Sequence, residues 1–263
     1  MINSNASAVS SISTILFENL DALKTNMTRI ASGKKVETPG DNLASFAMAQ
    51  NMQSDVATLQ TVQQNLTEGK GLTDYALAVG NAMVDDMTKL QNLQSQYTAA
   101  SGNTEAQNAY AAQYAGVYNN MTNLAANAQY NGTAVYQSGT TIANINLGSG
   151  GADLTVSVQA NQIPDLTTIG NIATVTAADL RNGVQGAQSY VATMQGFGNA
   201  IETQQNLTAT AVAAKNANIS QLVDVNEVEE LGNITNAQVR NQAAVAIAAQ
   251  ANIAQASLAR LYK

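Results

Sequence analysis

The chain has 263 residues, 45% hydrophobic but only 5% aromatic and 11% charged, and it contains no His, Cys or Trp. That removes imidazole bases, thiolate nucleophiles, disulfides and zinc sites of nitrogen and sulfur ligands, leaving an enzyme only carboxylate or hydroxyl chemistry. A net charge of −7 with a pI near 4.4 argues against nucleic acid as a partner, because phosphate contacts need clustered Lys and Arg.

Val9, Ile12, Leu16, Leu20, Leu23, Met27 and Ile30 recur at steps of three and four, the stripe of an amphipathic helix that Gly33 ends. The polar stretch Asn3 to Ser13, with the first Lys only at Lys24, has no cationic n-region, so no secretion signal of the usual kind is expected. Pro39, Gly40 and the pair Asp41-Asn42 predict an irregular connection whose Asp or Asn caps the next helix. That helix is predicted over 44–100, with Met52, Val56, Leu59, Val62 and Leu66, then Leu72, Val79, Met83, Met87, Leu90 and Tyr97 on its apolar side. Such length implies packing against other long helices. Gly69, Gly71 and Gly80 each weaken it by roughly 1 kcal/mol relative to Ala if exposed.

A turn at Gly102-Asn103 leads to a helix over 104–127 with Tyr110, Tyr114, Val117, Met121 and Leu124 along one side. The turn Gln129-Tyr130-Asn131-Gly132 opens a non-helical region to about residue 176, with strands predicted over 133–136, 141–147 and 154–158. Gly148 to Gly151 reads as the hairpin connection between the last two. From Asp179 to Leu222 a heptad alternation runs through Val191, Met194, Ile201, Val212, Ile219 and Leu222, with Gln205 and Lys215 as polar exceptions, which predicts coiled-coil packing. The acidic cluster Asp224, Glu227, Glu229 and Glu230 suits the start of a last, Ala-rich helix to Tyr262.

The carboxylates do not form a site. Asp85 and Asp86 diverge by about 100 degrees on a helix, and Glu227, Glu229 and Glu230 read as a solvated helix start. No apolar run reaches the length of about 18 residues that would indicate a membrane span. No catalytic residue, metal or cofactor is expected. The fold class is mainly α: a long antiparallel helical bundle with coiled-coil termini and a small β-hairpin region in the middle.

Several stretches resemble the bacterial flagellin family. Arg29-Ile30-Ala31-Ser32-Gly33-Lys34-Lys35-Val36 is similar to the family's Arg-hydrophobic-Ser-Ser-Gly-basic stretch, followed by a loop and a long helix. Gln129-Tyr130-Asn131-Gly132 resembles the aromatic-Asn-Gly signature that closes the N-terminal helical half. Ala237-Gln238-Val239-Arg240-Asn241-Gln242-Ala243 and Ala249-Gln250-Ala251-Asn252 resemble the C-terminal helix. The chain departs from the family's Leu-rich tail with Leu258-Ala259-Arg260-Leu261-Tyr262-Lys263, and only the region to Thr176 is present for outer domains. It reads Asp85-Asp86-Met87-Thr88-Lys89-Leu90 where receptor-recognised flagellins carry an Arg-rich stretch.

The resemblance implies a non-enzymatic subunit of an extracellular flagellar filament, exported unfolded through the flagellar type III apparatus and folding its terminal helices on assembly. It implies as partners other copies of the chain in a helical filament, an export chaperone, the filament cap and the hook-junction proteins, with no nucleic acid and no membrane insertion. It also implies three parts: residues 1–43 and 224–263 in an inner tube, and 44–223 as a helical shell. The candidate filament-interface residues are Val9, Ile12, Leu16, Leu20, Leu23, Met27 and Ile30 at one end, and Val239, Ala243, Ala246, Ile253 and Leu261 at the other. The alternatives are a hook-filament junction protein and a surface adhesin built on the same scaffold.

Overall fold

The computed structural model describes residues 2–148 and 153–261, with side chains over 10–148 and 153–253. The chain is mainly α and divides into two compact units: Met1–Asp55 with Ala214–Lys263, and Val56–Ala213. Six α-helices are described, α1 (Ile2–Ser32), α2 (Leu43–Ala99), α3 (Thr104–Asn127), α4 (Leu166–Ile169), α5 (Ala177–Val223) and α6 (Glu227–Leu261). Both unit boundaries fall inside continuous helices, α2 and α5.

In the unit 56–213, Gly102 at φ 90° makes the turn between α2 and α3, and the Asn103 carboxamide caps α3 by accepting from the Ala106 amide at 3.0 Å. The Gln107 side chain donates to the Tyr97 carbonyl and the Asn120 side chain to Asp86, so α3 runs back antiparallel along α2. Leu66, Met83, Met87, Leu90, Met121 and Met194 are fully buried between α2, α3 and α5. In the absence of Trp, methionine fills the irregular gaps of this core. Asp86, which diverges from Asp85 as expected on a helix, is buried and held by Lys89 at 2.8 Å and Asn120 at 3.2 Å.

The glycines of α2 mark close approaches. A Cβ on Gly80 would lie 2.7 Å from the ring of Tyr190 and 2.9 Å from Val191, so the missing side chain admits α5. Gly69 likewise lies beneath Ile145. The helix-weakening effect expected of these residues is therefore set against closer packing of the neighbouring elements.

The β region is smaller than predicted. Asn131 (φ 49°) and Gly132 (φ 81°) make the tight turn that joins β1 (Gln129–Tyr130) to β2 (Thr133–Ala134), both central residues taking the positive φ such a turn demands. The strand expected over 133–136 stops at Ala134; Val135 donates back to the Ala128 carbonyl at 2.9 Å and, with Tyr136, turns into the core. A separate antiparallel pair joins β3 (Thr141–Ile145) to β4 (Leu154–Ser157) with Ile145 opposite Leu154; residues 149–152 of the predicted glycine connection lie outside the described residues. The weakly patterned stretch before α5 contains a 3₁₀ turn at Ala160–Gln162 and the one-turn helix α4, both too short to show a helical period.

Tyrosine hydroxyls on the long helices tie them to this region. Tyr114 donates to the Ile169 carbonyl at 2.6 Å, and burial pushes its pKa up to about 12. Tyr190 donates to the Val135 carbonyl at 2.7 Å and meets Tyr136 edge to face, with ring centroids 4.9 Å apart. The Tyr136 hydroxyl is buried and has no hydrogen-bond partner. Burial raises both hydroxyls of that pair well above the ordinary tyrosine range.

In the other unit, Gly33 (φ 71°) ends α1. The amides of Lys35 and Val36 then donate to the Val223 carbonyl, and Val225 returns a bond to the Gly33 carbonyl. Asp41 and Asn42 divide the work expected of either: Asn42 caps α2 through the Ser45 amide at 3.0 Å, while Asp41 accepts from the amides of Glu37 and Thr38. The Thr38 backbone and side-chain hydrogen bonds, then that of Glu37, hold the Asp41 carboxyl below its ordinary pKa. Of the predicted α5 heptad, positions 215, 219 and 222 fall in this unit and are partly shielded, and Lys215 forms an ion pair with Asp55 at 2.7 Å.

Two outcomes follow for melts in urea. Gly80→Ala should destabilise by about 1–2 kcal/mol, because overpacking against Tyr190 outweighs the helix-propensity gain of about 1 kcal/mol. Tyr190→Phe should lose about 1 kcal/mol with its carbonyl bond, whereas Tyr136→Phe should leave stability unchanged or higher, since its hydroxyl is buried without a partner.

Candidate assembly interface

The terminal helices α1 and α6 run antiparallel, as the ion pair from Arg29 to Glu230 at 3.3 Å and the backbone bridge between Lys34 and Asp224 require. On α1 the shielded stripe is Ile12, Leu16, Asn19, Leu23, Asn26 and Ile30; on α6 it is Glu230, Ile234, Ala237, Asn241, Ala244, Ala248 and Ala251. Both lists alternate steps of four and three, the coiled-coil spacing. Bulky aliphatics on α1 therefore meet mostly alanines on α6, which lets the two backbones approach closely.

Glu230 is the polar centre of this pair. Its side chain is 8% exposed and accepts from Arg29 at 3.3 Å and from Asn233 at 3.0 Å. In the amide orientation that satisfies both of its ends, Asn26 donates to Glu230 at 3.2 Å and to the Ala22 carbonyl at 3.2 Å. Glu227 and Glu229 are exposed, as a solvated helix start predicts, but Glu230 is a buried structural carboxylate. Spacing alone could not separate it from its neighbours, because the signal lay in Arg29, two hundred residues away.

The twelve candidate interface residues fall into groups. Ile12, Leu16, Leu23 and Ile30 lie on the stripe that meets α6, whereas Leu20 and Met27 are exposed. Val239, Ala243, Ala246 and Ile253 form a second stripe on α6, two residues on from the inner one and so about 200 degrees round the helix. This outer stripe is exposed, Val239 at 59% and Ile253 at 70%. Val9 and Leu261 belong to α1 and α6, but their side chains lie outside the described residues. Sequence reasoning missed Phe17, 68% exposed beside Leu20 on α1, and the whole inner stripe of α6. The signal for that stripe was the four-three spacing of its alanines, which hydrophobic contrast hides in an Ala-rich helix.

Nothing in this arrangement assembles a reaction centre. Among the described residues no group of three or more carboxylates is placed to hold a metal ion, and no helix is long and apolar enough to cross a membrane. The chemistry available is that of helix-to-helix contact. Glu230→Ala should leave the Arg29 guanidinium without its buried partner and lower the free energy of opening α1 from α6 by about 1–3 kcal/mol, read by hydrogen exchange in α1.

Comparison with known proteins places this geometry. The family described as the bacterial flagellin N-terminal helical region matches residues 2–141, from α1 into β3. The chain is similar to flagellin FljK of Caulobacter vibrioides, 26% identical over an alignment covering 100% of this chain and 98% of that protein. It is similar to flagellin FljM of the same organism at 25% identity with the same coverage. Flagellin C of Rhizobium meliloti is 34% identical over 90 residues, which cover 34% of this chain and 28% of that protein. With more than half of its length matched by the family and the rest aligned end to end with flagellins, the chain belongs to the bacterial flagellin family.

Proposed function

We propose that this chain, a structural subunit of the bacterial flagellar filament, polymerises through the outer stripes of α1 and α6, which neighbouring copies cover. The observation that carries the reading is the two-sided character of α6. One row of small apolar residues faces α1, while a second, through Val239, Ala243 and Ala246, stays exposed in the single chain. Exposed apolar rows at coiled-coil spacing favour helical partners, and Phe17, Leu20 and Met27 supply a bulky counterpart on α1. A bulky row on one helix and a small row on another are complementary between copies, and a heterologous contact of that kind extends into an open helical polymer when its rotation does not close.

In this reading residues 1–43 and 224–263 make the inner tube and residues 44–223 the surrounding shell. The terminal pair buries little per residue, since its inner stripe on α6 is mostly alanine. Ordering ~25 residues at each end costs on the order of 1.5 kcal/mol per residue, which contacts with other copies help to offset. Folding of the ends is then coupled to assembly, as suits passage through the type III export channel in an unfolded state, with a chaperone shielding the ends and the cap and junction proteins bounding the filament. The absence of Cys is compatible with that route. The chain acts as a structural protein rather than an enzyme, in keeping with its lack of His and Cys. Its end-to-end similarity to flagellins favours the filament subunit over a junction protein or an adhesin.

The test is negative-stain electron microscopy of the full chain after sulfate is added to strengthen apolar burial. Long helical filaments are expected, and persistent monomers would overturn the reading. Val239→Asp should abolish filaments while circular dichroism of the monomer is unchanged; deletion of residues 1–32 should leave a helical, soluble chain that does not polymerise.

A further inference from the structure

We infer that Asn19 and Asn241 form an amide pair across the α1–α6 seam and that this pair specifies the register in which the two helices meet. Both belong to the shielded stripes of the seam. Asn19 lies ten residues before Arg29 and Asn241 eleven after Glu230, and those two residues are joined by an ion pair. At ~1.5 Å of rise per residue on antiparallel helices, the two carboxamides therefore stand within about one residue of the same level. The Asn19 Nδ2 donor and the Asn241 Oδ1 acceptor are both buried, and in this structure neither has a hydrogen-bond partner. One lacks an acceptor and the other a donor, so turning the side chains toward each other satisfies both ends.

Away from the backbone bonds at its base, the apolar part of the seam is nearly self-similar. Ala237, Ala244 and Ala251 recur every seven residues, so a slip of one heptad replaces alanine with alanine under the same α1 aliphatics. Apolar packing barely distinguishes the registers. A one-heptad slip in either direction sets Asn19 against Ala248 or Ile234 and leaves its amide without a partner in a shielded position. It also separates Arg29 and Asn26 from Glu230. Buried asparagine thus trades raw stability for a single register.

The chain has no Cys, so introduced thiols are the only ones and report distance directly. A Leu23→Cys/Ala237→Cys chain reads the native register and a Leu23→Cys/Ala244→Cys chain the slipped one. Intrachain disulfide yield is measured on gels in whichever state the chain reaches under sulfate, so a failure to polymerise counts against the filament reading alone. With both asparagines present, the native pair should crosslink at least about tenfold more than the slipped pair. Adding Asn19→Leu together with Asn241→Leu should keep or raise protease resistance of the terminal helices but bring the slipped yield up by about tenfold. An unchanged ratio overturns the inference. Should the doubly apolar chain not fold, Asn19→Ala serves instead: a fall in native yield supports the pair, and an unchanged yield overturns it.

Discussion

Close approach of helices through small side chains is the constraint on which the rest of this structure depends. With three Phe and no Trp, the chain cannot fill wide gaps between its elements. Instead, alanines line one side of α6, and Gly69 and Gly80 let Ile145 and the Tyr190 ring sit against the backbone of α2. Narrow seams bury little apolar area per residue. The helices must therefore be long to accumulate enough contact, which is why α2 runs over Leu43–Ala99 and α5 over Ala177–Val223 without a break.

The same constraint gives polar side chains an unusual share in specifying the packing. A seam of repeating alanines is smooth, and a smooth seam admits several registers. Glu230 with Arg29 and Asn26 is satisfied in one alignment only. Buried ions and amides add little net stability, because desolvation cancels much of the attraction. Their larger effect is the penalty attached to every misalignment. A terminal pair held this way combines modest stability with a defined geometry, a combination that fits helices proposed to order only when neighbours arrive.

The unit 56–213 is built differently. Its core of Met, Leu and Tyr is continuous, the Tyr114 and Tyr190 hydroxyls bond the Ile169 and Val135 carbonyls, and Asp86 is buried with its own partners. Those features make a unit whose order depends on its own contacts. The contrast with α1 and α6, whose outer rows are exposed, separates a self-sufficient fold from a surface proposed to be covered by other copies.

Element types, turns and the α5 heptad were legible in the sequence because they rest on local chemistry: four-three spacing, the Asn131-Gly132 turn, Gly33 and Gly102 at helix ends. Local chemistry also determined that no imidazole or thiol site could exist. Three things were left to the tertiary structure. It decided which apolar row of α6 faces α1, since an Ala-rich helix shows two nearly equivalent rows and only the partner selects one. It decided that Glu230, unlike Glu227 and Glu229, is buried, because that depends on Arg29 at the far end of the chain. It placed Val135 and Tyr136, which follow β2, in the core, where the Tyr190 hydroxyl reaches the Val135 carbonyl. In each case the deciding contact joins residues distant in sequence, and spacing along one segment carries no information about what lies across from it.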